Sequence, residues 1–485
     1  MNNYKSFGGS FLRLLRMIIV AISFVEAMWL AFLDPVRPGL QLLFALPLVF
    51  GIAVGLFGDI FYYKGIGLKI YYIIACIRYL IQPILLVMSK GKLSSNRMSV
   101  VQPTSYYVST IIACVEILIV FYTILKRYPR VYNKFYRAHE KSLNTENPFF
   151  KVTGIKLGGW LVVLIYIGVL IARAGIWLPA LNIYGFKTST ISGILLENTL
   201  FSCVKTILFI VFLERAVNSK GKQRSVYLFL CVIAILFNVL SYMGSNRSLT
   251  IEIVLASVLL MIFYFPQYKH QIAVVTLPVA CIVIFSMFVT KQFGLETASN
   301  ISSVDLSIQY ISNQIEEYTN GPWCIAQTYE GALGISPIQS FKAVGKEITN
   351  ALMIVLEIPG LKFLRNITAD WLSATDLFRN AFEIVNRGQI PSFSAGFFYV
   401  SEWLGWILFP LGNYVATRFL IKYTVEAEFC TSALKKYTYI WSSILFGLMH
   451  CYCARVLLYC MSKYIWFLWL VLAGNKLNLR IGKHR

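Results

Sequence analysis

The sequence predicts an all-α protein that crosses a membrane many times, and three observations carry that fold class. The chain of 485 residues is 58% hydrophobic and only 14% charged, with a mean hydropathy of +0.66. A soluble domain of that length has no surface on which to place so much apolar area. The apolar residues also fall into runs of span length, and the basic residues cluster between alternate runs. Crossing a bilayer core takes roughly 17–25 apolar residues of helix.

Twelve windows come near that length, at 14–33, 40–62, 66–88, 106–125, 157–178, 199–215, 226–243, 249–265, 271–290, 396–420, 437–452 and 455–474. The first follows the basic start MNNYKSFGGSFLRLLR, lacks a small-residue cleavage site and leads straight into further runs, which reads as a retained helix and not a signal peptide. With the N-terminus inside, the cytoplasmic segments hold Lys5, Arg13 and Arg16, then Lys64 and Lys69, then KRYPRVYNKFYRAHEK at 126–141. Further along they hold Arg215, Lys220, Lys222 and Arg224, then Lys435 and Lys436, and the tail NKLNLRIGKHR. The opposite loops are poorer in Lys and Arg, KGKLSSNR at 90–97 excepted, so the positive-inside rule puts both termini in the cytoplasm. The net charge of +22 is then orientation and lipid-headgroup charge, and nucleic acid is not an expected partner. Ten cysteines are scattered through apolar runs with no CxxC pair and read as small buried hydrophobes.

The division that follows is 1–290 for spans one to nine, 291–395 for one large extracytoplasmic loop, and 396–485 for spans ten to twelve with a cytoplasmic tail. The long loop is rich in aromatics, and a structureless segment of that size is uncommon in a compact protein. In FKAVGKEITNALMIVLE at 341–357, Phe341, Val344, Ile348, Leu352 and Val355 recur at helical spacing. SATDLFRNAFEIV at 373–385 repeats the pattern with Leu377, Phe378, Ala381, Phe382 and Val385. Two short amphipathic helices are expected, lying on the membrane surface or over a cavity mouth.

The usual catalytic and metal-binding motifs are missing: there is no HExxH, GxSxG, Walker loop or DxD pair. The histidines are His139, His270, His450 and His484, and His450-Cys451-Tyr452-Cys453 matches no common zinc spacing, so it reads as a polar helix end. Arginines at membrane depth are more informative. Arg78 interrupts ACIRYLIQPILL, Arg173 lies in GVLIARAGIW, Arg247 stands in the SNRS turn between the seventh and eighth spans, and Arg455 interrupts CYCARVLLYC. Ionisable groups in spans face the bundle interior or a wet cavity and mark pathways or sites, whereas arginines near helix ends also serve as snorkelling anchors. A guanidinium forks onto phosphate and stays charged, so several of them near one leaflet would receive an anionic group such as a diphosphate. Ser245 and Asn246 are placed to cap the eighth span, whose N-terminus would add partial positive charge beside Arg247.

The run of spans, the large outer loop before the tenth, GSNRS opening an apolar helix, IRYLIQPIL, EEYTNGP at 316–322 and PSFSAGFFYVSEWLGWILFPLGN at 391–413 together resemble the Wzy-type polysaccharide repeat-unit polymerases, relatives of the O-antigen ligases. The likeness in layout extends over nearly the whole chain. It implies a GT-C-like fold and a metal-independent glycosyltransferase, without a cofactor, in the bacterial cytoplasmic membrane. Such an enzyme transfers a growing glycan from undecaprenyl diphosphate to a lipid-linked acceptor on the outer face. Its partners would be those lipid-linked glycans, membrane lipids, and the flippase and chain-length regulator of the same pathway. The ligases carry a functional histidine in the outer loop, and 291–395 contains none, which favours the polymerase branch.

Under that reading Arg247 and Arg78 contact the donor diphosphate first, with Arg455 and Arg387 next and Arg173 further out. Glu316, Glu317 and Glu402 are the candidates to take the acceptor hydroxyl proton. Tyr318 and Trp371 are placed to stack on sugar rings. A lipid-linked oligosaccharide flippase or other transporter is the alternative of a different class, and an O-antigen-ligase-like transferase the alternative within the family. A transporter usually shows two related halves and short loops, and a membrane acyltransferase a histidine on a span; neither is evident here.

Overall fold

Six helices among the described residues are long and apolar enough to cross a membrane: Phe11–Phe32, Gln41–Tyr62, Ile66–Met88, Pro103–His139, Glu402–Phe429 and Ala454–Gly474. The computed structural model describes residues 9–33, 38–91, 102–143, 152–183, 195–242, 247–272, 274, 308–357, 361–382 and 390–477. A seventh crossing exists if Glu252–Tyr264 and Pro266–Ile272, bent by 118° at Phe265, count as one broken span. The chain is therefore a helical membrane protein.

Other expected windows are not among these six. The Leu157–Ala172 helix is apolar but has 16 residues, about 24 Å at 1.5 Å per residue against a core of roughly 30 Å. The windows at 199–215 and 226–243 lie in Leu195–Asn218 and Gly221–Leu240, whose ends carry Glu197, Glu214 and Arg215, and Lys222 and Arg224. The window at 437–452 is helical only to Gly447 and then breaks into a tight turn at Met449–Cys451. That at 271–290 lies almost wholly outside the described residues.

The chain divides into two compact units. One joins 1–138, 305–425 and 445–459. Its first two spans approach closely where Gly51 lies under Ser23: a Cβ added to Gly51 would sit 2.6 Å from the Ser23 Cβ. Contact through small residues is how helices pack when lipid is as apolar as their own side chains. Phe50 anchors the interior, with ring centroids 5.7 Å from Tyr79 and 5.8 Å from Phe121. The Pro103–Leu143 helix runs through 41 residues, so the basic stretch at 126–141 continues the span instead of forming a loop. Tyr128 and Tyr132 stack at helical spacing along it, and Tyr63 stacks on Tyr128 from outside.

The segment expected as the large loop is helical in this unit, as Ile308–Thr319, Pro322–Ala332, Pro337–Ala351, Lys362–Ile367 and Ala374–Ala381. Both expected amphipathic helices are present but shorter: Pro337–Ala351 starts four residues early and stops before Leu352 and Val355, and Ala374–Ala381 stops before Phe382. Each opens on a capping box: Ser336 with Gln339, and Ser373 with Asp376.

The other unit joins 139–304, 426–444 and 460–485. Gly158 and Gly474 face each other there, and a Cβ on Gly158 would meet the Gly474 carbonyl at 2.2 Å. Trp441 donates its indole N–H to Glu252 at 2.9 Å and stacks on Tyr464 at 5.6 Å. Residues 182–183 and 241–242 form a two-residue antiparallel pair.

The expected orientation is open to direct measurement on exposed residues of the first unit. A cysteine replacing Asp370 should react with an impermeant thiol reagent in intact cells. One replacing Asn133, on the basic extension of the long helix, should react only after permeabilisation. Labelling of Asn133→Cys in intact cells would reverse the topology.

Candidate functional site

The Ile66–Met88 helix cannot stay regular. Pro83 has no N–H to give, and Gln82 donates its own N–H five residues back to the Ile77 carbonyl, making one π turn over Ile77–Ile81. That turn carries Arg78 and Tyr79, both buried. The Arg78 side chain has no exposed surface, and neither has its partner Glu116, 3.2 Å away on the long fourth span. Arg78 Nη1 also donates to the carbonyls of Thr319 at 2.9 Å and His450 at 3.0 Å. A buried charge survives only with such company.

Glu116 is the hub. It accepts from Arg78 Nη2, from the Tyr79 hydroxyl, and from Ser394 Oγ at 2.5 Å. Ser394 Oγ in turn accepts from Asn413 Nδ2 at 2.9 Å, and Asn413 Oδ1 lies 2.8 Å from His450 Nε2. His450 Nδ1 returns to Glu116 Oε1 at 3.3 Å, closing a ring of four side chains. Proton bookkeeping follows from the inventory of donors. Asn413 gives its Nδ2 protons to Ser394 and to the Phe409 carbonyl, so its Oδ1 is the acceptor and His450 Nε2 the donor. The facing pair of His450 Nδ1 and Glu116 is then attractive only with a proton held between them.

Beside this ring, Glu316 accepts from the backbone N–H groups of Trp323 at 3.1 Å and Cys324 at 3.3 Å. It thereby caps the Pro322–Ala332 helix, whose first turn would otherwise be unsatisfied. Burial pushes the Glu316 carboxyl above its ordinary range, and those two N–H groups pull the other way. Gly321 allows this, because a Cβ there would lie 2.8 Å from the Glu316 carboxylate. Asn320 turns the chain with φ +47°. The EEYTNGP motif is thus a helix–turn–helix that presents its Thr319 carbonyl to Arg78.

Arg455, 22% exposed, pairs with Glu347 at 3.2 Å. Glu347 also accepts from the backbone N–H and hydroxyl of Thr375, at 3.0 and 3.1 Å. One carboxylate therefore ties Pro337–Ala351 to the start of Ala374–Ala381 and to the last span.

Of the residues expected in the site, Arg78, Glu316 and Arg455 fall in this region of the first unit. Arg78 and Glu316 are consumed by structural contacts there. Glu317 is half-buried, and Tyr318 and Glu402 are exposed. Arg173 lies in the other unit, paired with Glu197 at 2.6 Å. Arg247 begins the Arg247–Tyr264 helix in that unit, but its side chain, the SN of the turn before it, and Arg387 lie outside the described residues.

Sequence reasoning missed Glu116, Ser394 and Asn413 and passed over His450 as a polar helix end. A signal existed: Glu116 is an acid in the middle of IIACVEILIV, and such an acid needs a cation within reach.

Loss of either charge in the central pair should be costly. Arg78→Met leaves Glu116 buried without its cation, and denaturation in detergent should show a stability loss of about 3–5 kcal/mol. Adding Glu116→Gln should recover part of that loss, since the second change removes the orphaned charge. Strictly additive losses would mean the two groups are not coupled.

No family model matches the chain, and neither a curated protein nor a solved structure does.

Proposed function

We propose that this membrane protein is a metal-independent glycosyltransferase that polymerises undecaprenyl-diphosphate-linked oligosaccharide repeat units on the outer face of the bacterial cytoplasmic membrane, with about twelve spans of GT-C-like layout. One observation carries the reading beyond the motif resemblance. Three stretches that carry it, far apart in sequence, meet in one buried network. IRYLIQPIL supplies Arg78, Tyr79 and Gln82; EEYTNGP supplies Glu316 and Thr319; the 391–413 stretch supplies Ser394 and Asn413.

In the reaction the acceptor hydroxyl oxygen bonds the donor's anomeric carbon while the bond from that carbon to the diphosphate oxygen breaks. The electron pair leaves with the diphosphate, and the hydroxyl proton passes to a carboxylate. Arg78 is already spent on Glu116 and two carbonyls, so its part is to position the chain around the site. Arg455 of the first unit, partly exposed, and, considered on its own, Arg247 at a helix N-terminus of the other unit are each candidates to meet the diphosphate. Glu317 and Glu402 remain as proton acceptors, because Glu316 is occupied as a helix cap.

The test is polymerisation of lipid-linked repeat units by purified protein. A ladder of chain lengths is expected, and it should form in excess EDTA. Arg247→Ala should cut the rate by on the order of 30-fold to 1000-fold, which is 2–4 kcal/mol of transition-state stabilisation. Arg247→Lys should recover only part, because a point charge lacks the fork, and Arg130→Ala should change nothing. Cells lacking the protein should display single repeat units outside; units trapped inside would identify a flippase instead. Transfer to another acceptor without chain growth would identify a ligase-like transferase.

A further inference from the structure

The Pro337–Ala351 helix is inside out for a protein in water. Its buried positions include Ser340, Ala343 and Ala351. Ile338, Phe341 and Ile348, spaced i, i+3 and i+10 on one stripe, are 70%, 72% and 53% exposed. The short Lys362–Ile367 helix in the same unit continues the pattern, with Phe363 and Ile367 exposed. An apolar stripe turned outward usually marks an interaction surface.

These helices are held rigidly from their polar side. Lys346 Nζ donates to the carbonyls of Thr368 at 2.5 Å and Ala369 at 3.0 Å. Glu347 fixes the polar face to Thr375 and Arg455. The Trp371 ring borders the apolar stripe instead, over Gly345, where a Cβ would meet it at 2.6 Å, and 6.1 Å from the Phe341 ring. The stripe is thus presented outward by a fastened platform.

Length, charge and continuity identify what covers it. The longer helix has 15 residues, about 22 Å of rise, too short to cross a core of roughly 30 Å. Residues 337–382 contain five basic and four acidic side chains, so attraction to anionic headgroups is not what holds them. Pro337–Ala351 packs on the Ala395–Tyr399 turn, which leads into the Glu402–Phe429 span. That span opens with exposed Trp403 and Trp406, the aromatic pair typical of a membrane–water boundary.

We propose that Pro337–Ala351 and Lys362–Ile367 lie in the plane of the membrane, with Ile338, Phe341, Ile348, Phe363 and Ile367 sunk in the acyl–headgroup boundary of the leaflet that the Glu402–Phe429 span enters. The partner is lipid, and burial is about 5–10 Å deep. This assignment is independent of the enzymatic reading.

The experiment places photoreactive benzoylphenylalanine at Phe341, at Ile348 or at Gln339, which lies on the far side of the same helix. Each full-length variant is reconstituted in phosphatidylcholine–phosphatidylglycerol vesicles and irradiated, and adducts are read by mass spectrometry. All three sites are exposed or near the helix start, and equal recovery and melting against the unmodified protein establish folding. Lipid adducts several-fold more abundant at 341 and 348 than at 339, unchanged by high salt, are expected. Cross-links to a second copy or to the chain's own residues 275–307, or lipid adducts no more abundant than at 339, would overturn the proposal.

Discussion

A guanidinium without exposed surface constrains everything around it. Arg78 can neither lose its charge nor reach water, so the chain must bring it a carboxylate and enough carbonyl oxygens in one place. Those groups come from distant segments: Glu116 from the long fourth span, Thr319 from the turn between two helices of the 305–425 segment, and the His450 carbonyl from the turn before the last span. Each position is then determined by the others. The π turn at Ile77–Ile81 rotates Arg78 to its partners. The left-handed Asn320 and Gly321, whose missing Cβ leaves room for the Glu316 carboxylate, let the Thr319 turn come close. Ser394 and Asn413 keep Glu116 and His450 in register.

How much of this was legible in the sequence depends on the kind of signal. Apolar run length is a one-dimensional property, and the first four spans were found near where hydropathy put them, while the tenth, expected at 396–420, begins after a tight turn and runs over Glu402–Phe429. The ionisable residues at membrane depth were legible as types, because Arg78 and Arg455 stand out in apolar surroundings. Their partners were not. Nothing local in IIACVEILIV says that Glu116 faces Arg78, since the pairing joins positions 38 residues apart through a helix turn that only Pro83 and packing decide. Glu316 shows the opposite failure. A paired carboxylate in a polar stretch suggested proton transfer, and the Gly-Pro that follows it makes a helix start which the carboxylate caps.

Amphipathic periodicity has the same ambiguity. The stripe in 341–357 marks a helix correctly only as far as Ala351, and it leaves open which side faces the protein. In water the apolar side would turn inward. Beside a bilayer the energetics reverse, because lipid accepts Phe341 and Ile348 at no cost while Lys346 and Glu347 need protein partners. Those partners exist, in the Thr368 and Ala369 carbonyls, Thr375 and Arg455. The direction of the helix face is therefore decided by where its charged residues can be satisfied.

Under the proposed transferase reading, the same logic separates the parts that Arg78 and Arg455 would play. A catalytic cation lowers a barrier only if it is already in place when negative charge develops and is free to interact with it. Arg78 meets the first condition and not the second, since its Nη donors are committed to Glu116 and two carbonyls. Arg455 meets both in part: Glu347 holds it in position, and part of its surface stays open. Glu347 is itself anchored by Thr375, so the carboxylate that orients Arg455 is also the one that fastens the Pro337–Ala351 helix. Movement of that helix at the membrane surface would shift the arginine with it. The buried pair at Arg78 thus supplies a fixed frame, and the Arg455–Glu347 pair a point at which the Pro337–Ala351 helix and a partly exposed charge are mechanically joined.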